Sequence, residues 1–249
     1  MQRYFIKNNQ HHGNIIEITG LDFHHMTHVM RMTINSRVIV IDENAVTYET
    51  KIINISKNDI ILEIINEKQV NNELPIDVTI AFGLTKYPKI EEVIRRITEL
   101  GAKKFVAVEM ERSNLRLNKL PQLKNNRWEL IVKEASEQSE RTKLMEIAPF
   151  LSFQSFVEQS SNYDLRLFAY EESGKQKDYS FKNTLEQFKG KSILVLVGPE
   201  GGITELEAKT LITNGFTAVG LGSRILRCET APLYLMSVIS FIKEFSHES

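Results

Sequence analysis

The sequence predicts an α/β protein in two parts, a small barrel of short strands followed by a larger domain in which strands and helices alternate. Three observations predict it. Runs rich in Val, Ile and Thr, separated by polar clusters, fill the first seventy residues. Continuous apolar strands alternate with helical periodicity after Pro75. A polar stretch, Gln69 to Pro75, lies between the two patterns and sets the domains at residues 1–72 and 73–249.

In the first part Arg37–Asp42, Val46–Ile53 and Asp59–Ile65 read as strands, the second opening with period-two alternation at Val46 and Tyr48. Such spacing suggests a small barrel, interrupted by a helical piece near Asp22–Arg31. In the second part Asp77–Phe82 reads as a strand. Lys89–Leu100 reads as a helix with Ile90, Val93, Ile94 and Ile97 on one face, and Gly101 stands where a C-terminal glycine cap belongs. Phe105–Val108, Asp164–Ala169, Ser192–Val197 and Phe216–Leu221 are further strands; Trp128–Ser139, Thr204–Asn214 and Pro232–Phe245 are further helices. Uninterrupted apolar strands between helices indicate a parallel sheet covered on both faces. Residues 171–180 read as a solvated loop.

Composition bounds the function. The 249 residues are 42% hydrophobic and 25% charged, enough to bury a core, which excludes collagen-like, disordered and disulfide-stapled chains. Cys228 is the lone cysteine, so neither an internal bridge nor a Cys-rich zinc site is available and a reducing cytosol is expected. No apolar run approaches the ~18 residues of a membrane span, and the opening Met1–Lys7 turns polar too soon for a secretion signal. The formal net charge is −1, but Lys86 to Lys143 carries fourteen basic and nine acidic residues. Arg112, Arg116, Lys119, Lys124 and Arg127 crowd one stretch of it, which is compatible with an RNA partner.

Four motifs carry chemistry. Gly198-Pro-Glu-Gly-Gly202 lies between the most apolar strand and a helix whose start, Thr204-Glu-Leu-Glu207, fits a capping box. Ligands bind at the carboxyl ends of parallel strands, where glycines let the backbone approach and offer free N–H groups. A plain strand-to-helix turn is the alternative. Neither Gly-x-Gly-x-x-Gly nor Gly-Lys-Ser/Thr is present, which disfavours a dinucleotide or nucleoside-triphosphate site. Leu221-Gly-Ser-Arg-Ile-Leu-Arg-Cys-Glu-Thr-Ala-Pro232 also follows a strand and leads into an apolar helix. Its two arginines and glutamate are costly among apolar residues unless they face a ligand or pair, as Arg227 with Glu229. Cys228 reads as a small core residue. Glu134, Gln138 and Arg141, spaced i, i+4, i+7, share a helix face opposite Leu130 and Ile131, either a presented polar face or a solvated one. His24, His25 and His28, with Arg3, Arg31 and Arg37, suit a groove for a phosphate backbone better than a metal, because no further ligand lies at metal spacing. A merely polar surface is the alternative.

In this order the motifs resemble the RsmE-type family of the SPOUT methyltransferase superfamily, which methylates uridine at N3 in small-subunit (16S) ribosomal RNA. The resemblance runs nearly end to end. It includes Arg3, His25-Met-Thr-His-Val-Met-Arg31, Lys86-Tyr-Pro-Lys-Ile-Glu-Glu92 and Thr98-Glu-Leu-Gly101. It continues with Glu111-Arg-Ser113 and Glu134-Ala-Ser-Glu-Gln-Ser139 with Arg141, and closes with the two glycine-bearing loops. It implies a PUA-like β-barrel that binds RNA, then a SPOUT-type α/β domain with a C-terminal trefoil knot. It also implies a homodimer holding S-adenosylmethionine in each knot near the subunit interface.

Carried over by residue, the resemblance implies cofactor contacts from Gly198, Pro199, Glu200, Gly201, Gly202, Leu221, Gly222, Ser223, Ile225, Leu226 and Arg227, with Tyr170 and Glu171 at the end of their strand. Arg3, His25, Arg31, Arg112 and Gln138 would lie on the RNA side. Methyl transfer to N3 creates no charge that needs a metal. Arg227 or Arg141 would stabilise the uridine anion, and Glu229 or Glu200 would accept the proton. This chain departs from the family where it has Asn35 or Ser36, the Asp42–Asn44 turn and Glu140 in place of glycine, and Met145 in place of proline. The rival readings are a SPOUT enzyme acting on another RNA base or a ribose, and a non-catalytic RNA-binding ribosome-assembly factor. The N-terminal barrel argues against the first, and the intact glycines and arginines of both loops argue against the second.

Overall fold

Alternating apolar residues in short segments can bury one face only by pairing, and the first seventy residues do so. A computed structural model of the protein describes residues 1–117, 124–170 and 180–245, and the side chains of all of these except 124–126 and 180. It falls into two units, Met1–Glu73 with Ser136–Lys143, and Leu74–Ala135 with Leu144–Ser249.

The first unit has six strands: β1 Arg3–Phe5, β2 His11–His12, β3 Ile15–Thr19, β4 Arg37–Ile41, β5 Thr47–Ile55 and β6 Asp59–Lys68. They form one sheet in the order β1-β4-β5-β6-β3-β2, with β1 parallel to β4 and the other pairs antiparallel. Alternation sends Ile16, Ile18, Val38, Val40, Ile60 and Leu62 into a core completed by Tyr4 and Met26. Register shifts between Glu49 and Thr50 and between Ile52 and Asn54 mark bulges, the first with Ile65 of β6 as the extra residue and the second with Ile53 of β5, and they bend the sheet. The helical piece is a short helix, Gly20–His24, continued by a π-type turn over His25–Val29 and ended by Arg31 at φ 50°.

Ser136–Lys143, which the sequence places in the second domain, belongs to the first unit. The reason is a buried ion pair. Arg141 is 4% exposed and its guanidinium binds the Glu73 carboxylate through Nε at 3.1 Å and through Nη2. The same carboxylate accepts the backbone N–H groups of Thr142 at 2.9 Å and Lys143 at 3.0 Å. Burial alone would raise the Glu73 pKa, but the bonds and charge of Arg141 and these two N–H groups outweigh it and hold the pKa below the usual carboxylate value.

Three positions at or beside the expected family glycines, Asn35 (φ 71°), Ala45 (φ 63°) and Glu140 (φ 59°), adopt the left-handed backbone that glycine favours. The turns keep their geometry and the side chains bear the strain, roughly 1–2 kcal/mol for an ordinary residue and less for Asn.

Among the described residues the second unit holds seven parallel strands: β7 Asp77–Gly83, β8 Lys104–Glu109, β9 Glu146–Ile147, β10 Leu151–Ser152, β11 Leu165–Ala169, β12 Ser192–Val197 and β13 Thr217–Val219. Their order is β10-β8-β7-β12-β11-β13, with β9 also on β8. In β12, Ile193, Val195 and Val197 join the core that includes Trp128 and the helices Tyr87–Glu99 and Thr230–Phe245. Leu194 and Leu196 point the other way, to a core with Phe156 of the helix Phe153–Gln159 and Leu211 of the helix Glu205–Thr213. Both faces are therefore covered, as continuous apolar strands require. Of the expected loop 171–180, residues 171–179 lie outside the described residues, and Ser180 begins a helix, Ser180–Gln187.

Glu73→Gln is expected to cost about 3 kcal/mol at neutral pH, since it strands a buried guanidinium. Because the folded pKa lies below the unfolded value, the wild-type contribution is complete at neutral pH. It is lost as pH falls from about 4.3 through the folded value, whereas the variant lacks this acid slope. Urea unfolding at pH 7 and pH 3 checks this; equal midpoints at pH 7 would contradict it.

Candidate functional site

Since β12, β11 and β13 are adjacent and parallel, the chain leaves all three at one rim of the sheet. There Tyr170, the Gly198–Gly202 loop and the Leu221–Glu229 loop surround a cavity of about 910 Å³. Tyr170, Gly198, Pro199, Glu200, Gly201 and Gly202 line it, as do Leu221, Gly222, Ser223, Ile225, Leu226 and Arg227. Glu171 lies outside the described residues.

The first loop is built by close approach. A Cβ on Gly83, at the end of β7, would overlap the Pro199 nitrogen. Gly202 has φ 74° and donates its N–H to the Pro199 carbonyl at 2.8 Å, closing a turn. Beyond it Thr204 and Glu207 form the expected capping box, and the second Glu207 oxygen accepts the Glu111 N–H at 2.8 Å. Arg112, expected on the RNA side, lines the cavity and donates to the Gly201 carbonyl at 2.9 Å.

In the second loop Gly222 has φ 93°, and the side chains of Arg224 and Arg227 are exposed with no hydrogen bond or ion pair to another described residue. The Arg227–Glu229 pair is absent. Glu229 instead accepts from Lys89 Nζ at 3.3 Å and from the Cys228 thiol at 3.2 Å. Burial pushes the Cys228 thiol up to about 12, helped by its bond to Glu229, so it stays protonated and is no nucleophile. Burial works against ionisation of Glu229, but its backbone hydrogen bond, the thiol and Lys89 hold its pKa below the usual value. Glu200 is lowered mainly by its bond with Lys89, at 2.8 Å, and accepts from Asn114 Nδ2 at 2.8 Å on its other oxygen.

Gly83 and Asn114 escaped the sequence reading, which quoted Lys89 in the Lys86–Glu92 block but gave it no place in the site. Only Lys89 left a signal, as a cation in the first turn of the helix Tyr87–Glu99, where the helix dipole opposes it.

Other expected residues lie elsewhere. Arg141 is not on the helix face with Glu134 and Gln138, because the helix ends at Gln138 and Glu140 turns the chain toward Glu73. Its guanidinium is bound to Glu73. Arg3 is largely buried and pairs with Glu140 at 2.8 Å, while His25 Nδ1 lies 3.0 Å from the Tyr4 hydroxyl. Arg31 and Gln138 are exposed, and the His24 and His28 rings stack at 4.6 Å. The crowded basic stretch is internally neutralised at Arg116 by Glu109 and at Arg127 by Glu91. Lys119 and the side chain of Lys124 lie outside the described residues.

The chain matches the family models described as RNA methyltransferase domain, over residues 72–240, and RNA methyltransferase PUA domain, over residues 18–65. It is 39% identical to the ribosomal RNA small subunit methyltransferase E of Bacillus subtilis (strain 168), over 98% of each chain. It is similar to a crystal structure described as a hypothetical protein, with TM-score 0.87 and 35% identity, over 99% of this chain and 100% of that one. A crystal structure of the Neisseria gonorrhoeae ribosomal RNA small subunit methyltransferase E bound to S-adenosylmethionine gives TM-score 0.85 and 26% identity, over 98% of this chain and 99% of that one. Fold and site together define a SPOUT-type α/β methyltransferase domain preceded by a PUA-like domain. The chain belongs to the RNA methyltransferase family, in its ribosomal RNA small-subunit branch.

Gly83→Ala is expected to lower stability by about 1–3 kcal/mol, because backbone, not a flexible side chain, fills the space its Cβ needs. Urea unfolding reads this, and an unchanged midpoint would show that β7 and the first loop separate at no cost.

Proposed function

We propose that this enzyme transfers the methyl group of S-adenosylmethionine to N3 of a specific uridine in small-subunit (16S) ribosomal RNA. The observation that carries it is the rim cavity, where two glycine-bearing loops bring backbone N–H groups and Arg227, unpaired among the described residues, to one space of about 910 Å³. That space and donor set suit a bent adenosyl ligand, and the Neisseria relative, alike in fold, binds this one. When bound, the sulfonium supplies an electrophilic methyl group.

The chain's own residues do the rest. Gly198–Gly202 and Leu221–Arg227 hold the donor so that its methyl lies about 3–3.5 Å from N3, in line with the bond that breaks. N3 lies on the base-pairing edge, so the uridine enters unpaired or flipped out. As the N3 proton leaves, negative charge spreads onto the neighbouring carbonyl oxygens, and the exposed Arg227 guanidinium stabilises it. Glu229, held ionised by its hydrogen bonds, accepts the proton. Arg141 has no part in this reading, because its guanidinium is bound to Glu73.

Arg3, His25, Arg31 and Gln138 of the first unit contact the RNA, a reading supported by the PUA match over residues 18–65. The enzyme works as a homodimer in the cytoplasm, where its ribosomal substrate is made. Tyr234, Val238, Phe241 and Phe245 share one face of the last helix, and Phe241 and Phe245 are 68% and 70% exposed, an apolar stripe suited to a second copy. Among the described residues no helix is long and apolar enough to cross a membrane. A trefoil knot is supported by the route of the chain, from the edge strand β13 through the second loop to a helix packed on Tyr87–Glu99.

The test is mass mapping of small-subunit RNA incubated with S-adenosylmethionine and the enzyme. A single N3-methyluridine is expected from the wild type. Arg227→Ala is expected to lower kcat about 100-fold or more with cofactor affinity within threefold. Methylation of another base or a ribose would overturn the uridine assignment, and unchanged turnover would remove Arg227 from the mechanism.

A further inference from the structure

We infer that Lys89 is a positioning residue that ties the two cofactor loops together across the mouth of the cavity, by standing between Glu200 of one loop and Glu229 of the other. The inference rests on the cofactor reading above and adds a device to it.

Lys89 Nζ lies 2.8 Å from Glu200 Oε1 and 3.3 Å from Glu229 Oε2, so the two carboxylates sit within reach of a single ammonium. Both are ionised groups in partial burial, with Glu229 17% and Glu200 32% exposed, and without a cation between them they repel. The other partners of the pair are neutral: the Asn114 amide on Glu200 and the protonated Cys228 thiol on Glu229. The nearby Arg112 is engaged by the Gly201 carbonyl. Among the described residues, Lys89 is thus the one cation bonded to either carboxylate.

Its place in the fold agrees. At the third residue of the helix Tyr87–Glu99 a positive charge opposes the helix dipole, so the helix gains nothing from it. That helix is anchored by Ile90, Val93, Ile94 and Ile97, all fully buried, and does not need the lysine to fold. Lys89 therefore serves the loops, which arise from different strands and have no other charged link between them among the described residues. Removing it lets the loops separate, and the donor then meets two half-sites in place of one.

The experiment compares the wild type with Lys89→Met, Lys89→Arg and Lys89→Met combined with Glu200→Gln. Amide hydrogen exchange of the cofactor-free chain is read at residues 201–203, 221–229 and 90–99. Calorimetric affinity for S-adenosylmethionine and steady-state kinetics are read on the same four proteins. Lys89→Met is expected to speed exchange in both loops but not in the helix, and to raise cofactor Kd about tenfold. Lys89→Arg stays near the wild type, and Glu200→Gln restores most of the loss by removing the repulsion. Unchanged loops in Lys89→Met, equal loosening of the helix, or a loss that Glu200→Gln does not relieve would each overturn the tie. A wild type that binds no cofactor would count against the cofactor reading alone, because exchange in the free chain still decides the tie.

Discussion

Parallel hydrogen bonding of three neighbouring strands is the constraint on which the rest of the second unit depends. Because β12, β11 and β13 run side by side in one direction, their carboxyl ends share a rim, and every loop that follows them starts from that rim. The apolar alternation of β12 enforces this by burying both of its faces, which only a central strand can do. Two loops far apart in sequence are therefore delivered to one cavity with little freedom. Glycine does the remaining work where β7 and the first loop nearly touch, at Gly83 and Pro199.

Charge is used sparingly and in two different ways. In the first unit Arg141 is spent on structure, since its burial requires the Glu73 carboxylate and two backbone N–H groups complete that carboxylate's bonding. At the rim the roles are divided. Lys89 is absorbed by Glu200 and Glu229, whereas Arg227 lines the cavity with no ion pair to another described residue. In the proposed reaction such a guanidinium would stabilise the developing negative charge without reorganisation.

The sequence made the long elements legible. The buried strands, the Ile90–Ile97 face, the Thr204–Glu207 cap and both glycine-bearing loops follow from periodicity and from residue types that only certain backbones accept. It hid β1, β2, β9 and β10, whose two or three residues are too short to show alternation, and β3, whose Ile16 and Ile18 do alternate, was not read as a strand. It misplaced Arg141 because spacing along a helix holds only while the helix lasts, and Glu140 turns the chain without the glycine that would have announced the turn. The ion pairs of Lys89 were hidden for another reason. Its partners lie more than a hundred residues away, and no local pattern encodes a bond of that range.

The most direct measurement is a crystal structure of the enzyme soaked in S-adenosylmethionine. Donor density bent between Gly198–Gly202 and Leu221–Arg227, with the methyl group open to the side of Arg227, is the predicted result. Density elsewhere, or an empty rim at a concentration where calorimetry registers binding, would contradict it.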